Sequence, residues 1–310
     1  MMDIRDQILK LIEASDVITV FRHANPDGDA YGAQFAFVQW IKETYPTKKV
    51  YAVGQESSAD PYFPPCDEVS DEVIKESLAI VLDLANLPRV DDKRVRFARK
   101  IIKIDHHPND EPFGDVQYVV VESAATCQIL TRLFERWGNI SKQTATYLYR
   151  GILTDTLGFS TSNTTVDTLL CGAKLAEKGL PIADLNREMF DVSYEEFMFT
   201  SHVRYRTQLY KEMVAYVILD EADLRRYGMT PNRARSFVAE LGHVKNFKVW
   251  CMLTQNGNVY DGSLRAKNTV INTIAQKYHG GGHQFASGIK DVKPEEITTL
   301  LEDLYQAIEK

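Results

Sequence analysis

The chain has 310 residues, 44% of them hydrophobic and 25% charged, with a formal net charge of −7. That length fits two domains of ordinary size, each burying its own core, and no apolar run approaches the roughly 18 residues that a membrane span requires. The negative balance excludes a protein that grips long nucleic acid by neutralising many phosphates, because that mode needs a broad basic surface; a small anionic ligand needs only local cations.

The N-terminal stretch MMDIRDQILKLIEASD is acidic and helix-patterned, without the basic start and apolar core of a signal peptide, so a cytoplasmic location is expected. From there to about residue 180, short β-rich runs alternate with helical periodicity, which predicts an α/β domain with a mainly parallel sheet flanked by helices. Strands are expected at Val17–Phe21, Lys49–Val53, Leu78–Leu82, Lys100–Ile104 and Tyr118–Val121. Helices are expected at Tyr31–Thr44, Ala125–Trp137, Lys142–Thr154 and Thr165–Lys178, the last closed by Gly179 and Pro181. This first domain is placed at 1–185 and followed by a polar helical connector at 186–208.

A smaller α/β domain is expected at 209–310, with the active site in the cleft between the two domains. In it EMVAYVILD, FKVWCMLTQ and VYDGSLRA predict strands, and TPNRARSFVAELGHV, NTVINTIAQKYHG and PEEITTLLEDLYQAIEK predict helices. GGGHQFASGIKD predicts a loop and a return strand. Cys66, Cys127, Cys171 and Cys251 are scattered without a Cys-x-x-Cys pair, so they are expected to be reduced and buried.

Four places in the first half put Asp or His where an apolar element stops: His23, Asp27 and Asp29 after VITVF; Asp83 after LAIVL; Asp105, His106 and His107 in IIKIDHHP; and Asp155 in GILTDTLGF. Taken singly, each has a bland explanation as a helix cap, a turn residue or a hydrogen-bonded histidine. Together they converge, because strand C-termini of a parallel sheet lie along one edge and ligands bind there at the topological switch point. Carboxylates so crowded would repel one another unless cations compensated them. Carboxylate mixed with imidazole and no thiolate suits two divalent ions, Mn²⁺ first and Mg²⁺ as the alternative, with zinc or ferrous iron as runner-up. Such a pair acts as a clamp for in-line displacement at phosphorus.

HANPDGDAYGA, LDLAN, IDHHP and GILTDTLGF, in this order, resemble the four motifs of the DHH phosphoesterase family, and SLRAK (Ser263–Lys267) and GGGHQFASG (Gly280–Gly288) resemble its DHH-associated C-terminal domain. Carried over by position, the resemblance implies that His23 and Asp27 bind one metal, that Asp29, His106 and Asp155 bind the second, and that Asp83 bridges both. His107 would donate a hydrogen bond to the phosphate or leaving group, and Asp105 would be a carboxylate that orients a neighbouring group. Ala33 and Leu84 depart from the family pattern, where hydroxyl residues are common, without changing a proposed ligand.

In the second domain, Gly281 and Gly282 would let backbone N–H groups approach a phosphate while His283 supplies a directed donor. Arg265 can grip a phosphate bidentately, and Ser263 is a weaker candidate. The lysine-rich motif of manganese pyrophosphatases and the transmembrane segments of membrane-bound cyclic-dinucleotide phosphodiesterases are missing from the sequence. The resemblance is therefore to the compact oligoribonuclease and pAp-phosphatase group. It implies short RNA or linear dinucleotides such as pApA as substrates, with 3′-phosphoadenosine 5′-phosphate (pAp) as a further one, and a homodimer. The rival readings are a cyclic di-AMP phosphodiesterase and a non-catalytic nucleotide sensor.

Overall fold

The computed structural model describes residues 2–55 and 62–309, and the chain divides into two compact units, Met1–Asp191 and Val192–Lys310. The first contains α1 (Ile4–Glu13), β1 (Val17–Phe21), α2 (Gly28–Thr44), β2 (Lys49–Ala52), α3 (Asp71–Glu76), β3 (Leu78–Leu82), β4 (Lys100–Asp105), β5 (Val116–Val119), α4 (Thr126–Trp137), α5 (Lys142–Asp155), α6 (Val166–Ala176) and α7 (Ile182–Phe190). Its sheet has the order β2-β1-β3-β4-β5, with every pair parallel. The uninterrupted apolar run of β3 is what a strand covered on both faces requires. Leu78, Ile80 and Leu82 enter the larger core beneath α2, α4 and α5, while Ala79 and Val81 join Phe21, Ile74 and Val95 on the other face.

The second unit contains α8 (Tyr194–Arg206), β6 (Gln208–Tyr210), β7 (Val214–Leu219), α9 (Glu221–Arg226), α10 (Pro231–Ser236), β8 (Val249–Asn256), β9 (Val259–Ala266), α11 (Asn272–Lys277), β10 (Gly281–His283), β11 (Ala286–Val292) and α12 (Ile297–Ile308). Its sheet is mixed, in the order β10-β11-β9-β8-β7-β6. Alternation along β8 again feeds two cores: Val249, Cys251 and Leu253 pack with Leu300 and Leu304 of α12, and Trp250 and Met252 pack with Phe199 of α8 and Ala234 of α10.

Several elements differ from expectation. Residues 230–244 form α10 followed by a 3₁₀ segment, Phe237–His243, rather than one helix. Val238 and Leu241 there are buried three residues apart, the 3₁₀ period, and Gly242 lies so close to the Trp250 ring that a Cβ would come within 2.7 Å of it. The helix expected over NTVINTIAQKYHG shrinks to Asn272–Lys277 because the Ile271 amide is held by the Gln284 carbonyl at 2.8 Å. The expected loop GGGH is instead β10, paired with β11 in a tight hairpin. The break between units falls at Asp191, inside the segment 186–208, with α7 packed on α5 and α8 on β7. None of the four cysteines forms a disulfide, but Cys66 is only half-buried.

Candidate metal centre and phosphate-binding face

The strand order reverses between β1 and β3, the position at which open α/β sheets bind ligands. His23 stands two residues beyond β1, Asp83 directly beyond β3, Asp105 at the end of β4, and His106 and His107 after it. Asp83 leaves its strand with φ 56°, a left-handed conformation unusual outside glycine, which turns its carboxylate into the space between the neighbouring strand ends.

Asp83 is the hub. Its Oδ2 lies 3.4 Å from His23 Nε2, and its Oδ1 lies 3.5 Å from His106 Nε2 and 3.6 Å from His107 Nδ1. Asp27 Oδ2 lies 3.8 Å from the same His23 Nε2, and Asp155 Oδ2 lies 3.3 Å from His106 Nε2. Backbone carbonyls fix both rings through the other nitrogen, Ala24 O on His23 Nδ1 at 2.9 Å and Ser123 O on His106 Nδ1 at 3.2 Å. These contacts direct the two Nε2 atoms inward.

Asp27 and Asp29, one glycine apart, point differently. Asp27 caps α2, its Oδ1 accepting the Asp29 and Ala30 amides, and its side chain is exposed. Asp29 is fully buried and accepts the first two amides of α4, Thr126 at 2.7 Å and Cys127 at 2.9 Å. The Thr126 hydroxyl donates to Asp83 at 3.2 Å. Asp105 does not face the cluster: its Oδ1 accepts the His106 and His107 amides and His107 Nδ1, the last at 2.8 Å.

The electrostatics set crowded carboxylates against one another. Burial pushes Asp155 well above the carboxylate range, and the Asp29 and Asp83 charges push it further. Asp29 rises for the same two reasons, burial first and then Asp83. Burial also works against Asp83, but the His106 and His23 imidazoles outweigh it and hold Asp83 ionised. His23 is pushed up to about 10, as Asp27 and Asp83 overcome its own burial. Carboxylates forced toward neutrality beside imidazoles forced toward charge are a site that divalent cations would satisfy better than protons do.

The donor set fits that role. His23, Asp27 and Asp83 can bring one donor atom each within 4.8 Å of one another, and so can Asp29, His106 and Asp155, and Asp83, His106 and His107. All six residues expected to bind metal thus fall into one connected cluster. Thr126, which steadies Asp83, and the α4 amides that hold Asp29 carried no sequence signal of their own; a threonine at a helix start reads only as a cap.

Four of the five residues expected to read substrate, Ser263, Arg265, Gly281 and His283, share one face of the second unit's sheet. His283 pairs with Ala286, Ala286 with Arg265, Gly281 with Gly288, and Gly288 with Ser263, and residues directly opposite one another in a ladder project to the same side. Arg265 and Ser263 are therefore separated from His283 and Gly281 by a shelf with no side chain larger than methyl. Gly282, one residue out of phase, projects to the other side; it has φ 141°, and a Cβ there would meet Ala286 O at 2.6 Å, so the hairpin itself needs that glycine. A Cβ on Gly281 would meet nothing within 4 Å, which leaves its surroundings open. Arg265 is half-buried, donates to Leu264 O at 2.8 Å, and has no carboxylate partner among the described residues.

A parallel α/β sheet with carboxylates and imidazoles gathered at its switch point is an arrangement suited to holding divalent cations. Residues 17–152 match the DHH family, N-terminal domain, and residues 211–310 match the DHHA1 domain. The chain is 30% identical to the bifunctional oligoribonuclease and PAP phosphatase NrnA of Bacillus subtilis, over 97% of each chain. It is 33% identical to the probable bifunctional oligoribonuclease and PAP phosphatase NrnA of Streptococcus mutans, over 97% of this chain and 96% of that one. The crystal structure of an exopolyphosphatase-related protein from Bacteroides fragilis superposes with a TM-score of 0.86 at 25% identity, covering 99% of this chain and 95% of that one. The chain belongs to the DHH family and is a phosphoric ester hydrolase. No helix among the described residues is long and apolar enough to cross a membrane.

Proposed function

We propose that this protein hydrolyses very short oligoribonucleotides and linear dinucleotides such as pApA to nucleoside 5′-monophosphates, and that it also removes the 3′-phosphate of pAp. The observation that carries the reading is Asp83, whose two oxygens face His23 on one side and His106 on the other. That arrangement supports two divalent cations: one held by His23 and Asp27, one by Asp29, His106 and Asp155, with Asp83 shared. The mixed imidazole and carboxylate donors favour Mn²⁺ over Mg²⁺. When bound, such cations supply an activated water and neutralise charge on the phosphoryl oxygens.

The chain's own residues complete the chemistry. With His107 Nδ1 held by Asp105, its Nε2 faces outward and can donate to a phosphoryl oxygen or to the leaving oxygen. A covalent enzyme intermediate has no support. The Cys127 thiol beside Asp29 is held far above its ordinary range by burial and that carboxylate, and the Ser123 hydroxyl is spent on Ala125 O. Arg265 and His283, across the glycine and alanine shelf from each other, suit the non-scissile phosphate of a short substrate. A net charge of −7 agrees with short rather than long RNA. A cytoplasmic homodimer belongs to the same reading; Val166, Leu169 and Leu170, apolar and exposed along α6, support the dimer.

The reading is tested by incubating the protein with Mn²⁺ and a panel of pyrophosphate, pAp, pApA, cyclic di-AMP and five-nucleotide RNA. Turnover of pApA, short RNA and pAp is expected to exceed that of the other two. Preference for cyclic di-AMP, or binding of pApA without cleavage, would overturn it.

A further inference from the structure

Lys103, in the middle of β4, is completely buried. Lysine is almost never so placed unless its charge is matched, because an unpaired ammonium in a protein interior is costly. Here the ammonium has two hydrogen-bond acceptors and one carboxylate counter-charge, Asp105, whose Oδ2 makes no hydrogen bond of its own. Nζ donates to Ala85 O at 2.9 Å and to Asn109 Oδ1 at 3.0 Å, and it lies 3.3 Å from Asp105 Oδ2. The Phe113 ring covers it, 4.8 Å from Nζ to centroid.

Two of these contacts, those to Ala85 and Asp105, lead to the metal centre. Ala85 belongs to the turn that Asp83 begins with its φ of 56°. Asp105 and Lys103, two residues apart on a strand, share one face. While Asp105 Oδ1 is taken up by His107 Nδ1 and the His106 and His107 amides, Oδ2 faces the ammonium. The lysine's charge therefore attracts the carboxylate oxygen that makes no hydrogen bond, and the other oxygen of that carboxylate holds the imidazole.

We propose that Lys103 is a positioning residue: its ammonium locks Asp105 so that His107 keeps one ring orientation and one tautomer, and it pins the turn that presents Asp83. The catalytic consequence rests on the phosphodiesterase reading above; the structural one does not.

Lys103→Met keeps most of the buried stem and removes the charge. In ¹⁵N-histidine spectra of chelator-treated protein, wild type is expected to show His107 as a single Nδ1–H tautomer and Lys103→Met a mixture. With Mn²⁺ and pApA, kcat is expected to fall roughly 10- to 100-fold, as for other residues that orient a functional side chain, with KM close to wild type. In an Asp105→Asn background the same substitution is expected to add little, because the lysine acts through that carboxylate. An unchanged His107 spectrum, or an equal fractional loss in both backgrounds, would overturn the proposal. If wild type itself does not cleave pApA, the function fails and the spectra still decide the role of Lys103. Should Lys103→Met not fold, the exposed Asn109→Ala removes one of the ammonium's acceptors and is expected to loosen His107 in the same sense; an unchanged spectrum there contradicts the proposal equally.

Discussion

Gly28 packs so closely against Thr154 that a Cβ built on the glycine would lie 2.4 Å from Thr154 Cγ2. This contact sets the start of α2 against the end of α5, and with it Asp27 and Asp29 against Asp155. Gly28→Ala is expected to cost about 1–3 kcal/mol in stability, as overpacking does, and to weaken Mn²⁺ binding measured by calorimetry. Adding Thr154→Ala, which removes the obstructing atoms, should recover part of both. A Gly28→Ala protein with wild-type metal affinity would show that the spacing is not critical.

Asp155 is held above the carboxylate range by burial and by the Asp29 and Asp83 charges, so its charge works against folding when no cation is present. Asp155→Asn is expected to raise the Tm of the chelator-treated protein while reducing the additional stabilisation that Mn²⁺ provides. Thermal unfolding with and without metal measures both. A lower Tm in chelator would mean that the carboxylate cluster is not strained in the way its charges indicate.

Arg265 offers a half-buried guanidinium without a carboxylate partner among the described residues. Arg265→Ala should raise KM for pApA by roughly 10- to 100-fold, the worth of a charge-assisted hydrogen bond of about 1.5–3 kcal/mol, with a smaller effect on kcat. Arg265→Lys should restore only part of the loss, because a single ammonium cannot reproduce a bidentate grip. Steady-state kinetics on the two variants separates these outcomes.

Much of this was legible in the sequence. The strand β3 announces itself as an unbroken apolar run, β1 and β4 as β-rich runs with few polar residues, and the ligand types at their ends are polar residues where packing alone would not place them. What stayed hidden depends on partners distant in the chain. The α4 amides that hold Asp29 are 97 and 98 residues away and have no side-chain signature. Lys103 carries no sequence signal of its own, since residue type alone gives no hint that Ala85 and Asn109 will receive its protons. The 3₁₀ segment Phe237–His243 looked helical because a spacing of three fits both kinds of helix, and only the Trp250 ring against Gly242 separates them.

The assignment of metal to the cluster is checked by titration. Chelator-treated protein should lose hydrolytic activity and regain it with Mn²⁺, with two equivalents bound per chain in calorimetry. In Asp83→Asn both equivalents should weaken together, as a shared ligand requires, whereas Asp27→Asn should weaken one more than the other. Independent behaviour of the two sites in Asp83→Asn would contradict a bridging role.

The most direct measurement is the product formed from pApA by Mn²⁺-loaded protein in water enriched in ¹⁸O. Two AMP are expected per pApA consumed, with one ¹⁸O in the 5′-phosphate of the AMP formed at the cleaved bond, and loss of that product in Asp83→Asn. Intact pApA recovered from a tightly bound complex, or AMP produced equally well by Asp83→Asn, would contradict it.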